Sequence, residues 1–82
     1  MTRNRMLIFA VVHTIGERLP GCMVEAFPVY SSKGTPTTEI VISVKVGERR
    51  EVSENIEPED DDVSAAFKAI QPALRLMKAE GQ

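Results

Sequence analysis

Apolar and polar positions alternate most clearly over residues 37–46. Thr38, Ile40, Ile42, Val44 and Val46 fall on one side; Thr37, Glu39, Val41, Ser43 and Lys45 fall on the other. Strand side chains alternate between faces, so the stretch predicts a strand with one buried side and one mostly wet side. Its β-branched residues suit a pleated, half-buried surface. Upstream, Met23, Glu25, Phe27 and Val29 alternate with Cys22, Val24, Ala26 and Pro28. Both of these sides are partly apolar, so the buried side stays open. Pro28 lacks a backbone N–H and belongs at a sheet edge or strand end. Residues 31–36, with Gly34 and Pro36, read as the loop of an antiparallel hairpin.

After Val46 two registers compete. A two-residue Gly47-Glu48 turn sets Val44 against Glu51 and puts charge on the buried side. A three-residue loop over 47–49 pairs Val46 with Arg50, Val44 with Val52 and Ile40 with Ile56. That choice keeps the apolar residues together, because a one-residue slip would turn them all over. The three-residue loop is therefore expected, although Arg49 is a poor residue for a left-handed loop position.

Helical spacing governs both ends of the chain. Val63, Phe67, Ile70, Leu74 and Met77 recur at three and four, with Ala66 and Ala73 alongside. Acidic residues crowd the start of this segment, and Arg75 and Lys78 sit in its last turns, as a helix dipole favours. Pro58 suits the first turn, Gly81 follows the end, and Pro72 lies inside, opposite Phe67. Ala65, Ala69, Pro72, Leu76 and Ala79 form a second apolar face away from Phe67. Either the N-terminal segment covers it, or it meets a second copy or a partner. At the N-terminus, Leu7, Val11, Ile15 and Leu19 form a row at spacing four. Asn4 offers an N-cap, and Pro20-Gly21 a stop. A helix over residues 5–18 is preferred, since about fourteen residues is long for a strand. The alternative is a fourth strand.

The expected architecture is one α+β domain over residues 1–82. A small antiparallel three-stranded sheet (about 22–29, 37–46 and 50–56) is packed by a C-terminal helix (about 59–79) and an N-terminal helix (about 5–18). Phe67 is expected to roof Ile40, Ile42 and Val44. With residues 5–18 helical, the order helix, strand, strand, strand, helix is similar to that of the double-stranded RNA-binding domain. Val44-Lys45-Val46-Gly47-Glu48-Arg49 looks like the central hairpin of that family. The resemblance implies RNA contact through a basic cluster opening the final helix. The matching place here holds Asp60, Asp61 and Asp62, so no site residue is carried over.

Size changes this picture most. An 82-residue chain buries only about 60% of its unfolded surface, so a homodimer or a larger partner stands as a source of added stability. Ten basic and twelve acidic side chains give a net charge of −2, with no general attraction to nucleic acid or anionic membrane. One cysteine, Cys22, forbids an internal disulfide and suits a reducing cytoplasm. Arg3, Arg5 and the apolar run 6–12 imitate the front of a signal peptide. His13, Glu17 and Arg18 follow where a cleavage site belongs, and the run falls short of the ~20 residues that span a bilayer. A structural segment is expected there, and no membrane partner.

The residues that could carry chemistry are few. Glu57, Glu59, Asp60, Asp61 and Asp62 lack the alternating ligands, turn glycine and distal glutamate of a calcium loop. They suit helix-start electrostatics or a dock for a basic partner. His13 has no second histidine and reads as a partly buried side chain with a local hydrogen bond; Cys22 reads as an inert buried thiol. Gly34 and Gly47 are lone turn glycines, so no cofactor is expected. Lys45, Arg49 and Arg50 at a hairpin tip could reach phosphate. The function expected is a non-enzymatic protein-interaction module of inhibitor or adaptor type. Its contacts would be Glu57, Glu59, Asp60, Asp61, Asp62, Ala69, Pro72 and Leu76. The alternative is a nucleic-acid-binding domain using Lys45, Arg49 and Arg50.

Overall fold

The computed structural model describes residues 2–80; the expected stop at Gly81 lies outside them. The order is α1 (Arg3–Ile15), β1 (Met23–Tyr30), β2 (Pro36–Val46), β3 (Arg49–Val52) and α2 (Asp62–Glu80). The three strands form one antiparallel sheet in the order β1-β2-β3. Both helices lie on one face of it. Their N-terminal ends are together, with Arg3 donating to the backbone of the loop that opens α2. The α+β class, the three-stranded sheet and the helical N-terminus agree with the sequence reading.

α1 begins at Thr2, not Asn4: the Thr2 hydroxyl accepts from the Arg5 N–H at 3.3 Å. It ends at Gly16, whose φ of 46° is a backbone conformation that glycine adopts without a Cβ penalty. Leu19 still reaches the core from beyond the helix. The row Leu7, Val11 and Ile15 joins one core with Ile42 and Val44 of β2, Ile56 and the buried residues of α2. Each such side chain contributes roughly 1.5–3 kcal/mol on leaving water.

The β2–β3 connection corrects the expected register. The turn has two residues, so Val46 pairs with Arg49, Val44 with Glu51 and Ser43 with Val52. Gly47 carries φ 61° and no other turn residue has positive φ, the pattern of a type II′ turn. Yet Ile40 still pairs with Ile56, as the three-residue loop required. A one-residue bulge at Ser53 reconciles the two. The Ser53 N–H donates to Ile42 O, and the Ile42 N–H donates to Ser53 Oγ, both at 2.8 Å. A side-chain oxygen thus replaces a missing ladder carbonyl, and a buried N–H stays satisfied. The helix-side charge is harmless because β3 is an edge strand: Arg75 Nε meets Glu51 Oε1 at 2.7 Å. The Val52 side chain lies on the open face of the sheet instead.

α2 is rotated relative to expectation. Ala65, Ala69, Pro72, Ala73 and Leu76 are its buried residues, whereas Phe67 is 63% and Val63 80% exposed. Phe67 therefore does not roof β2, and Ala69, Pro72 and Leu76 are core residues, not surface ones. Volume is one cause. α1 and β2 supply large side chains, and the small side chains of α2 let the helices and sheet approach to native packing density. Two polar anchors are the other. Lys68 and Arg75, seven residues apart, share one edge of the helix. Lys68 Nζ reaches Asp60 Oδ2 at 2.7 Å and Asn55 O at 3.3 Å; Arg75 Nη2 reaches Val52 O at 2.8 Å. These tie one edge of α2 to β3 and the loop after it, and leave Val63 and Phe67 outside.

Candidate partner-docking surface

The outward apolar stripe of α2 borders a groove of about 460 Å³ between the two helices. Met6 and Ala10 of α1 form one wall; Val63, Ala66, Phe67 and Ile70 of α2 form the other. The Thr14 hydroxyl donates to Ala10 O at 2.8 Å within its own helix, so it asks little of a ligand. Asp62 is the single ionisable group in the lining and stands at the end where α2 begins. The rest of the lining is apolar, so the surface suits apolar side chains. Leu74 is partly exposed further along the same stripe.

The acidic loop is largely occupied with the fold. The Asp60 carboxylate accepts from Lys68 and from the Glu57 N–H at 2.9 Å. The Arg3 guanidinium donates to Glu57 O, Pro58 O and Asp60 O. The Lys68 hydrogen bond, then the Glu57 N–H, hold the Asp60 carboxyl below its ordinary range; the same contact raises the Lys68 ammonium. Asp61 caps α2, accepting from the Ser64 N–H at 2.7 Å, and that bond lowers its carboxyl too. Glu57 moves the other way, chiefly through repulsion from Glu59. α2 accordingly starts at Asp62 and not near residue 59. Glu59 and Asp62 are exposed, whereas the Asp60 and Asp61 carboxylates are engaged within the fold.

The basic tip is divided. Lys45 and Arg50 are cross-strand neighbours on the open face of the sheet, beside Met23. Arg49 pairs with Val46 and belongs to the opposite face, since successive strand residues alternate. Phe27 and Val52 are partly exposed on the open face, and Ser43 stands between Val52 and Glu25 in the ladder. His13 is exposed and stacks on Phe9, ring centroids 6.3 Å apart; it is not the half-buried side chain expected. Cys22 is half-buried, and burial pushes its thiol up, away from nucleophilic use. Among the described residues, no group of three or more His, Cys, Asp or Glu side chains could hold a metal ion. Among the same residues, no helix is long and apolar enough to cross a membrane.

No family model matches the chain, and neither a curated protein nor a solved structure matches it. The likeness to the double-stranded RNA-binding domain thus extends to the element order and stops there. The outer stripe stands in the sequence as a 3/4-spaced row on α2, but the expected contact face of Ala69, Pro72 and Leu76 is buried. That stripe read as core because periodicity ranks faces by hydrophobicity and takes no account of volume. The contribution of Met6 and Ala10 carried no signal, because it depends on how α1 lies beside α2.

Proposed function

We propose that the chain is a protein-interaction module of inhibitor or adaptor type, working in a reducing compartment such as the cytoplasm. Its docking surface is the groove between α1 and α2, and the element it takes is an apolar-faced helix. One observation carries this reading. α2 already fills the core with one face, yet presents a second apolar stripe, with Phe67 and Val63 largely uncovered beside a groove. Exposed apolar surface of this contiguity marks contacts, and a helix laid in a groove is the recurring way to cover it. Glu59 and Asp62 at one end favour a basic residue on the incoming helix. The alternative, phosphate contact, rests on Lys45 and Arg50 alone on one face, which is thin support beside a net charge of −2.

A photo-reactive phenylalanine analogue at position 67, with position 27 on the sheet as control, tests the reading in cells. A discrete adduct from position 67, and none of the same mass from position 27, is the expected result. No adduct at position 67 would overturn it.

A further inference from the structure

We infer that the open face of the sheet is a contact between two copies of this chain, packed face to face about a two-fold axis that crosses the strands beside Ile42. This surface lies on the far side of the sheet from the groove between the helices. The first support is the layout of charge. Lys45 and Arg50 are cross-strand neighbours at one end of the open face. Glu39 stands on the same side of β2 as Lys45, about 20 Å along the strand. Ile40 pairs with Ile56, so Glu57 follows beside Glu39. The Glu57 carboxyl is raised by Glu59 first, then by burial, by Asp60 and by Glu39, as that placement requires. Among the described residues, the side chains of Lys45, Arg50 and Glu39 meet no opposite charge within ion-pair distance. Like charges side by side on neighbouring strands destabilise a sheet. This face carries a basic pair at one end and an acidic pair at the other.

The second support is symmetry. A two-fold axis across the strands lays each strand over its own copy and reverses its direction. Lys45 then meets Glu39 of the other copy, and Arg50 meets Glu57. The axis repeats both pairs, so each like-charged end is answered by the opposite sign. An axis along the strands would keep the ends together and set Lys45 on Lys45. The third support is the middle of the face. Phe27, Val41 and Val52 lie between the charged ends, and Ser43 is closed beneath its neighbours at 3% exposure. In the same arrangement Val41 comes over Ser43 of the other copy, a large side chain against a small one. Glu25 belongs to an edge strand, which leaves its carboxylate at the wet rim. Two sheets packed in this way lie about 10 Å apart with strands within about 30° of each other. The helices cover one side of the sheet, and the second copy covers the other.

Sedimentation equilibrium of the whole chain over a concentration series tests this. A species of twice 9.1 kDa is expected, weakened by added salt. Lys45→Glu and Glu39→Lys should each weaken it at least about ten-fold while circular dichroism shows both variants folded. Mixed in equal amounts, the two variants should recover the dimer, because each reversed charge then meets its opposite. The photo-reactive analogue at position 27 should give an adduct of twice the chain mass. Phe67→Asp should leave the dimer unchanged, since position 67 lies on the helix layer. A chain that stays monomeric throughout overturns the contact. So does a dimer indifferent to Lys45→Glu, or a mixture no tighter than its separate parts. The position-67 adduct is read independently of all these outcomes, so the groove and the sheet contact fail separately.

Discussion

The two apolar faces of α2 make an instructive pair. The inner one, Ala65, Ala69, Pro72, Ala73 and Leu76, is poor in volume and fully covered. The outer one, Val63, Phe67, Ile70, Leu74 and Met77, is richer in hydrophobic surface and partly wet. Transfer free energy alone would reverse them, at roughly 25 cal/mol per Å² of apolar area buried. What decides is fit. Large side chains from α1 and β2 need small ones opposite, and Lys68 and Arg75 reach their acceptors in only one rotation. Hydrophobicity selects which residues can be inside, and packing with polar anchoring selects which are.

Substitutions can break this contrast directly. Leu76→Ala should cost about 2–5 kcal/mol in chemical denaturation, from lost transfer energy and a cavity. Phe67→Ala in dilute solution should stay within about 0.5 kcal/mol of the parent, as for an exposed position. Equal losses at the two positions would mean that α2 is turned the other way. Next in size is Ser53→Ala, which removes the acceptor of the buried Ile42 N–H. It should cost about 1–3 kcal/mol and lower the melting temperature by several degrees. If the melting temperature does not move, the bulge does not depend on that hydroxyl.

The smallest effect concerns the anchor that sets the rotation. The Asp60 carboxyl is depressed in the fold by Lys68, so its stabilisation is present above the unfolded carboxyl pKa. It is lost as pH falls through the lower folded value. Lys68 is raised, so its share is present below the unfolded ammonium pKa and is lost as pH rises through the folded value. Melting temperature should therefore fall at both extremes, and Asp60→Asn should flatten both arms. Glu57, being raised, works slightly against the acid arm. An unchanged profile in Asp60→Asn would remove the pair as the anchor.

Much of this fold is legible in the residues. The alternation over 37–46 identifies β2 and its buried Ile42 and Val44, and the row Leu7, Val11, Ile15 identifies α1. Even the Ile40–Ile56 pairing follows from keeping apolar residues on one side. The hairpin turn does not, because Glu51 on the helix side looks forbidden until Arg75, twenty-four residues away, is known to reach it. The rotation of α2 is hidden for the same reason: Lys68 and Asp60 are neighbours only once the loop has folded. The groove between the helices needs both of them in place before Met6 and Ala10 belong to it.

Pro28 has a consequence beyond β1. Cross-β growth needs an outermost strand with every N–H free to donate, and Pro28 interrupts that row on one side of the sheet. On the other side β3 spans only Arg49–Val52 before Ser53 bends the chain out of line. A ribbon of stacked copies would meet an obstacle at either flank. Edge-to-edge pairing of copies therefore finds no long unbroken strand to extend.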